Sequence, residues 1–133
     1  SFEIGKAQIL VEGSDVSIFA NGHLVWEALE AAKALHEKGI SAEVINVHTV
    51  KPLDEATIIA SAKKTGKVVT AEEHQYHGGL GESVARVLAQ HHPTPQAFVA
   101  VDDSFGESGE PEALLEKYGL TAGAIVRKVE GLI

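Results

Sequence analysis

Residues 68–82 read VVTAEEHQYHGGLGE, and this stretch indicates the fold more strongly than any other part of the chain. Its apolar start is typical of a strand that is buried on both faces. An acidic turn with histidines follows, and three glycines then lead into a helical pattern. Glycine lets the backbone come close to a neighbouring group, where a side chain would block it. The stretch therefore predicts a strand–turn–helix unit of an α/β sheet, at an edge that commonly carries a site or a tight contact.

Short apolar runs alternate with helically spaced apolar residues along nearly the whole chain. Strands are predicted at residues 7–11, 16–20, 42–47, 67–71 and 96–101, and helices at residues 24–36, 54–64, 80–90, 111–117 and from Thr121 onward. This alternation predicts a parallel sheet with helices on both faces. Only a tight turn separates the first two strands, so the first is predicted to run antiparallel at an edge. The predicted fold class is α/β, a three-layer α/β/α arrangement around a five-stranded, mostly parallel sheet with one antiparallel edge strand.

Length and composition bound the class of protein. The 133 residues are predicted to form a single domain over residues 1–133, with residues 1–6 as a lead-in segment. Nineteen acidic and 11 basic residues give a formal net charge of −8. This charge argues against nucleic acid and against an anionic membrane, because both require a basic surface. The chain has no cysteine, which excludes disulfides and cysteine-bound metals.

Two further features concern location and completeness. No apolar run approaches the length of about 18 residues that a membrane span needs, and a cytoplasmic location is the default expectation. The chain begins with Ser1 and contains no methionine, which suggests a piece cut from a longer protein.

Two glycine-containing turns, at residues 21–23 and 72–81, are predicted to meet at the carboxyl edge of the sheet if the strand at residues 16–20 is central. Both turns open helices, so free backbone N–H groups would point into the space between them and could bind an anion or a diphosphate. The alternative is that the glycines permit close packing of helix on sheet, or a subunit contact. The candidate anion or interface site consists of seven residues: Asn21, Gly22, His23, His74, Gly78, Gly79 and Gly81.

Other site chemistry has less support in the sequence. The spacing of the glycines in residues 78–81 differs from the dinucleotide fingerprint, and neither a P-loop nor a G-x-S-x-G elbow occurs. His74 and His77 could share a metal if they lay on a helix, but the stretch is predicted to be a loop without a defined third ligand. No metal site is therefore predicted. Trp26 is predicted to lie in the core or at an interface rather than to support a cofactor.

Several short motifs follow one another along essentially the whole chain. They are IGKA at residues 4–7, EGSDV at 12–16, ANGH at 20–23, EAL at 27–29, VHTVKPLD at 47–54, TAEEH at 70–74, GGLGE at 78–82, EPEALL at 110–115 and YGL at 118–120. This ordered set resembles the C-terminal domain of transketolase and its thiamine-diphosphate relatives. The KPLD motif, and the EEH motif with its double glycine, favour transketolase over the related β subunits.

The resemblance implies a function for the complete enzyme rather than for this chain alone. The complete enzyme is expected to move a two-carbon ketol unit between sugar phosphates with thiamine diphosphate and Mg²⁺, as a cytoplasmic homodimer of the pentose phosphate pathway. In this family the catalytic chemistry lies on other domains or on an N-terminal subunit. The resemblance thus implies that this chain holds no catalytic, cofactor-binding or metal-binding residue, that it supports the dimer and packs against the catalytic part, and that it is inactive alone.

Two alternatives stay open at this point. The first is a regulatory module that binds an anion or a nucleotide at the seven-residue candidate site. The second keeps the fold and changes the enzyme, to a 2-oxo-acid dehydrogenase β subunit or a deoxyxylulose-phosphate synthase.

Overall fold

A five-stranded sheet lies at the centre of the computed structural model, which describes residues 5–48, 50–73, 79–101 and 111–133, with side chains from residue 121 onward in the last range. The strands are adjacent in the order β1-β3-β2-β4-β5, and only the β1–β3 pair is antiparallel. The predicted fold class, including the antiparallel edge strand, is confirmed. The strands are β1 Gln8–Val11, β2 Val16–Ala20, β3 Ala42–Asn46, β4 Val68–Glu73 and β5 Gln96–Val101.

Four helices cover the two faces of this sheet: α1 Leu24–Glu37, α2 Glu55–Thr65, α3 Leu80–His91 and α4 Pro111–Leu132. Helices α1 and α4 pack together on one face, and α2 and α3 pack on the other. Asp54 caps α2 as predicted, since its carboxylate accepts a hydrogen bond of 3.2 Å from the Thr57 N–H. None of the helices in the described ranges is long and apolar enough to cross a membrane.

Strand β2 is buried along its whole length because it lies in the middle of the sheet. Ile18 points into the core beneath α1 and α4, and its neighbour Phe19 points into the core beneath α2 and α3. Successive side chains of a strand alternate between the two faces, so one apolar run serves both cores. Burial of an apolar side chain of this size contributes about 1.5–3 kcal/mol, and both residues are fully buried.

The last helix corrects a prediction. The sequence predicted a helix over residues 111–117 and a second one capped by Thr121, whereas α4 runs without a break from Pro111 to Leu132. Thr121 is buried inside this helix, and Ile125 and Val129 contribute to the core beneath it. A glycine in a helix costs only about 1 kcal/mol relative to alanine. Tertiary packing therefore outweighs the apparent break in the sequence around Gly119.

Strand β4 is longer than predicted. The sequence predicts its end at Ala71, with Glu72 and Glu73 in the following turn, but both glutamates continue the strand. They pair with Ala100 and Val101 of β5. Because the strand extends to Glu73, the Glu72 side chain is a buried group near the carboxyl end of β4 rather than part of a turn.

A polar network lies between α2 and the sheet. The Ser17 hydroxyl is 2.6 Å from that of Ser61 and 2.7 Å from that of Thr65, and all three residues are buried. The Ser61 hydroxyl in turn donates a 2.6 Å hydrogen bond to the Glu43 carboxylate. Glu43 also accepts hydrogen bonds from the Gly13 N–H and the Lys64 ammonium. Since each buried polar group has a partner, the network can sit inside the apolar layer without a large desolvation cost.

The Glu43 carboxylate, which is 1% exposed, should be the most costly member of this network to remove. We expect Glu43→Ala to lower the free energy of unfolding at pH 7 by about 2–3 kcal/mol, because the buried Ser61 hydroxyl and the partly buried Gly13 N–H and Lys64 ammonium lose their acceptor. Urea unfolding at pH 7 measures the loss. The control is Glu55→Ala, which removes an exposed carboxylate of the same region and should cost about 0.5 kcal/mol or less.

The same carboxylate predicts how stability depends on pH. Burial by itself would raise the pKa of Glu43, but hydrogen bonds from Lys64, Ser61 and Gly13 outweigh it and hold the pKa below its usual value. A lowered pKa stabilises the fold above the unfolded-state value of about 4.3, and this contribution is lost as the pH falls through the folded-state pKa. The stability difference between wild type and Glu43→Gln should therefore shrink below about pH 4. A difference that stays constant down to pH 3 would contradict this role.

Candidate functional site

The carboxyl ends of β2 and β4 lie side by side at the point where the strand order reverses. Ala20 at the end of β2 is paired with Ala71 of β4 on one side and with Asn46 of β3 on the other. After β3 the chain crosses over through α2 to reach β4 on the far side of β2. Ligands of open α/β sheets bind at such switch points. Strand β2 is thus central, which was the condition for the predicted meeting of the two glycine turns. The meeting itself stays a prediction, because residues 74–78 of the second turn lie outside the described part of the chain.

A carboxylate of the chain itself caps the start of α3. One oxygen of Glu72 accepts a 2.7 Å hydrogen bond from the Leu80 N–H, and the other accepts a 2.7 Å bond from the Gly81 N–H. Charge-assisted bonds of this length are strong, and a negative charge is favoured at a helix N-terminus. Glu72 therefore occupies the position that an anion would take on these two groups.

Gly81 is required by close packing at the same point. A Cβ atom on this residue would lie 2.5 Å from a ring carbon of Phe98, a distance that real side chains essentially never show. The Gly81 carbonyl also accepts a 2.9 Å hydrogen bond from the side-chain amide of Gln96, which is close to Thr70 as well. Residues of β4 and β5 thus hold the first turn of α3 tightly against the sheet. For Gly81, these contacts support the packing alternative.

The start of α1 is closed by backbone bonds. The Leu24 N–H donates to the Asn21 carbonyl at 3.2 Å, and the Val25 N–H donates to the Gly22 carbonyl at 3.3 Å. Gly22 has a φ of +58°, a conformation that favours glycine, so it allows the chain to turn tightly into the helix. His23 forms the N-cap in a helical conformation without a side-chain capping bond.

Five of the seven candidate residues lie in the described part of the chain, whereas His74 and Gly78 fall outside it. The expectation of free N–H groups is wrong for Leu24 and Val25 at the start of α1, and for Leu80 and Gly81 at the start of α3, because each of these groups has an acceptor. The assignment of the seven residues to an anion or interface site stays a prediction.

Sequence reasoning missed the residues that organise this edge, namely Glu72, Gln96 and Phe98. One signal was present in the sequence. Glu72 follows an apolar strand and precedes the start of the next helix by eight residues, so it lies at the carboxyl end of the strand, from which it can cap that helix. The contribution of β5 could not have been found in this way, because it depends on which strand lies next to β4.

The described residues do not fit the diphosphate of a thiamine cofactor or its metal. No group of three or more potential metal ligands occurs among the described residues. The Glu72 carboxylate would also repel a diphosphate at the start of α3, where its two bonded N–H groups are already engaged.

Comparison with known proteins identifies the family of this chain. The family model described as "Transketolase, C-terminal domain" matches residues 5–125, which include all five strands. The chain belongs to this family. As a transketolase C-terminal domain, it is similar to a "6-deoxy-6-sulfo-D-fructose transketolase subunit" from Clostridium sp. (strain MSTE9), with 54% identity over 126 residues. It is also 41% identical over 129 residues to a 1-deoxy-D-xylulose-5-phosphate synthase from Desulforudis audaxviator.

A solved structure with the same fold is described as "Split gene transketolase, inactive beta4 tetramer". It is 50% identical to this domain, with a TM-score of 0.86 over 98% of the present chain and 43% of the other. The present chain spans 39% of the Clostridium subunit and 20% of the synthase. These proteins therefore contain large regions beyond the transketolase C-terminal domain.

The Glu72 cap should contribute substantially to stability. We expect Glu72→Ala to lower the free energy of unfolding by about 2 kcal/mol, because two backbone donors lose their acceptor at a buried site. Glu72→Gln should cost about half as much, since the amide keeps one acceptor oxygen. Thermal and urea unfolding measure both values. Glu82→Ala removes an exposed carboxylate from the same helical turn and should cost less than about 1 kcal/mol.

The contact between Gly81 and Phe98 should appear as an energetic coupling. Gly81→Ala is expected to destabilise the fold by about 1–3 kcal/mol through overpacking. In the double variant with Phe98→Ala, most of this loss should disappear, because the new methyl group no longer meets the ring. Gly131→Ala is the control: a Cβ there meets nothing within 4 Å, so it should stabilise α4 slightly. Equal losses with and without the ring would contradict the contact.

Proposed function

We propose that this chain is the structural and associative domain of a thiamine-diphosphate-dependent transketolase. In the complete enzyme, a ketose phosphate would give up a two-carbon ketol unit and leave as a shorter aldose, while an acceptor aldose phosphate becomes a longer ketose. Thiamine diphosphate and a divalent metal supply this chemistry when they are bound to the catalytic domains. The present domain would pack against those domains and support the dimer, without ketol transfer of its own.

The Glu72 cap is the observation that carries this proposal. In a ligand-binding α/β sheet, the helix start at the switch point offers its N–H groups to the ligand. Here the carboxylate of the same chain takes the groups of Leu80 and Gly81, and Phe98 fills the space beside them. An edge built in this way supports a rigid scaffold rather than a cofactor cradle.

The relatives support a division of labour between polypeptide regions. The Clostridium relative is called a subunit, and the solved relative is called a split-gene transketolase that is inactive as a tetramer of β chains. We infer that the partner of this domain is a catalytic region, on the same chain or on an N-terminal subunit. We further propose that the complete enzyme is a cytoplasmic homodimer that acts in the pentose phosphate pathway or on related sugar phosphates.

Ketol transfer by the domain alone is the first quantity to measure. With a ketose phosphate donor, an aldose phosphate acceptor, thiamine diphosphate and Mg²⁺, we expect no turnover above the rate without protein. Addition of the catalytic domains of the same enzyme should produce turnover that saturates with the present chain. Measurable transfer by the purified chain alone would overturn the proposal.

Thermal unfolding with a ligand panel separates this proposal from a regulatory module. The panel is thiamine diphosphate with magnesium, inorganic phosphate, nucleotides and sugar phosphates. A ligand present at 100 times its Kd would add about 2.7 kcal/mol of stability, whereas we expect no saturable shift. A shift that is lost in Gly79→Val, while the variant alone melts normally, would instead support an anion site at the seven candidate residues.

The related enzyme classes share the fold and are separated by the assay itself. The two alternatives are a deoxyxylulose-phosphate synthase and a 2-oxo-acid dehydrogenase β subunit, each of which would be recognised by turnover of its own substrates rather than by ketol transfer. Reconstitution with each class of substrate would show which of them supports turnover. We favour ketol transfer because the Clostridium transketolase subunit and the split-gene transketolase are 54% and 50% identical to this chain, whereas the Desulforudis synthase is 41% identical.

A further inference from the structure

We propose that a second copy of this chain covers the free edge of β1, through antiparallel pairing of the two β1 strands, with Trp26 of each copy packed in a shared groove. This inference rests on the proposed function, in which the complete enzyme is a homodimer. It adds which surface joins the copies and how their strands are oriented.

The free edge of the sheet at β1 is apolar in composition. Edge strands of soluble proteins are usually protected by short length, by a bulge, by charged residues, by proline or by a covering element. Strand β1 is four residues long and its register with β3 shifts between Ile9 and Val11, but its sequence, QILV, includes neither a charge nor a proline. Ile9, Leu10 and Val11 are 50%, 42% and 38% exposed. An edge of this kind is suited to pairing with another strand.

Apolar side chains are exposed on both faces of the sheet at this edge. Ile9 pairs with Ile45, whose side chain belongs to the core beneath α2 and α3. Val11 pairs with Val44, which belongs to the core beneath α1 and α4. A partner helix lying on one face would leave the other face exposed. A strand added to the edge continues both faces at once, so strand pairing fits the exposed residues better.

A groove next to β1 indicates which further surface the second copy would cover. It has a volume of about 520 Å³ and runs between the end of β1 and the outer surface of α1. Its apolar lining includes Val11, Leu29, Ile40 and Trp26. Trp26 is 64% exposed, which excludes the core and leaves the interface alternative for this residue. Exposed tryptophans with an apolar pocket beside them are typical of interface centres.

A twofold axis perpendicular to the sheet relates the two copies in this arrangement. Antiparallel strands joined in this way keep their α1 faces on the same side of the combined sheet. The two grooves then meet across the axis, and Trp26 of one copy can lie against the groove of the other. A single symmetric contact thus covers both the strand edge and the tryptophan.

The charges around β1 are compatible with self-pairing. Lys6 precedes the strand and Glu12 follows it, so antiparallel pairing brings Lys6 of each copy towards Glu12 of the other. On α1, Lys33 lies between Glu30 and Glu37 at the rim of the groove. Lys33, Glu30 and Glu37 take part in no salt bridge within the described part of the chain. Opposite charges that meet across the axis offset part of the repulsion between two chains of net charge −8.

The opposite edge of the sheet, at β5, is packed against other parts of the same domain. On β5, Val99 and Val101 are buried in the core with α4, so one face is covered within the chain. The exposed Phe98 is fixed against Gly81 on the other face. Edge β5 is therefore already used for packing inside the domain, whereas β1 offers apolar side chains on both faces.

The full 133-residue chain can be tested directly, by sedimentation together with fluorescence of Trp26, its only tryptophan. We expect a monomer–dimer equilibrium, with Trp26 emission moving to shorter wavelength and becoming less accessible to acrylamide as the dimer forms. Leu10→Lys should raise the dimer Kd at least about tenfold, because it would bury a charge at the paired edge. Ala100→Lys, an exposed position on the opposite edge strand, is the matched control and should leave the Kd unchanged.

Cross-linking gives a second readout that does not depend on the lysine variants. Because the chain has no cysteine, a single Ile9→Cys variant, whose two copies face each other when Lys6 lies opposite Glu12, can form only an intermolecular disulfide. We expect rapid oxidation to a covalent dimer that retains the shielded Trp26 signal. Lys128→Cys, an exposed position on α4, should oxidise much more slowly.

Three results would overturn the inference. The first is a chain that stays monomeric at every concentration. The second is a dimer that Leu10→Lys does not weaken, since another surface would then join the copies. The third is Trp26 that becomes shielded only when the catalytic domains are added, which would make the catalytic part the occupant of the groove. None of these results affects the assay of ketol transfer, so this inference can fail while the proposed function holds.

Discussion

Burial of β2 on both faces is the constraint from which the rest of the architecture follows. A strand with neighbours on both sides and apolar residues on both of its faces needs a cover above and below the sheet. Helices α1 and α4 supply one cover, and α2 and α3 supply the other. The chain can build both layers only by crossing from one side of β2 to the other. This crossing creates the switch point and leaves β1 and β5 as the two edges.

At the switch point, the chain uses its own carboxylate where related architectures use a ligand. Glu72 completes the start of α3 through its bonds to Leu80 and Gly81, and Gln96 and Phe98 hold the same turn on the sheet. The buried Glu43 network fixes α2 on the same side of the sheet. Both carboxylates thus join a helix to a strand. The polar groups of this domain contribute mainly to rigidity, which suits a domain that positions other parts of an enzyme.

Much of the fold follows from local features of the sequence. The apolar runs, the Asp54 cap and the short connection before β2 indicated the elements, one helix start and the antiparallel edge strand. Features that depend on contacts between residues distant in sequence could not be predicted. The role of Glu72 depends on α3 folding back over β4, and the continuity of α4 depends on its packing against the core. For Trp26, the pattern allowed two locations, and only the arrangement of α1 beside β1 distinguishes them.

The Glu72 cap also has a consequence for the order in which the chain folds. The bond from Gly81 to Glu72 closes a segment of only nine residues, which costs little chain entropy. By contrast, the contact between Gln8 of β1 and Asn46 of β3 spans 38 residues. The unit of β4 and α3 can therefore form early as a nucleus, whereas β1 can join only after β3 is in place.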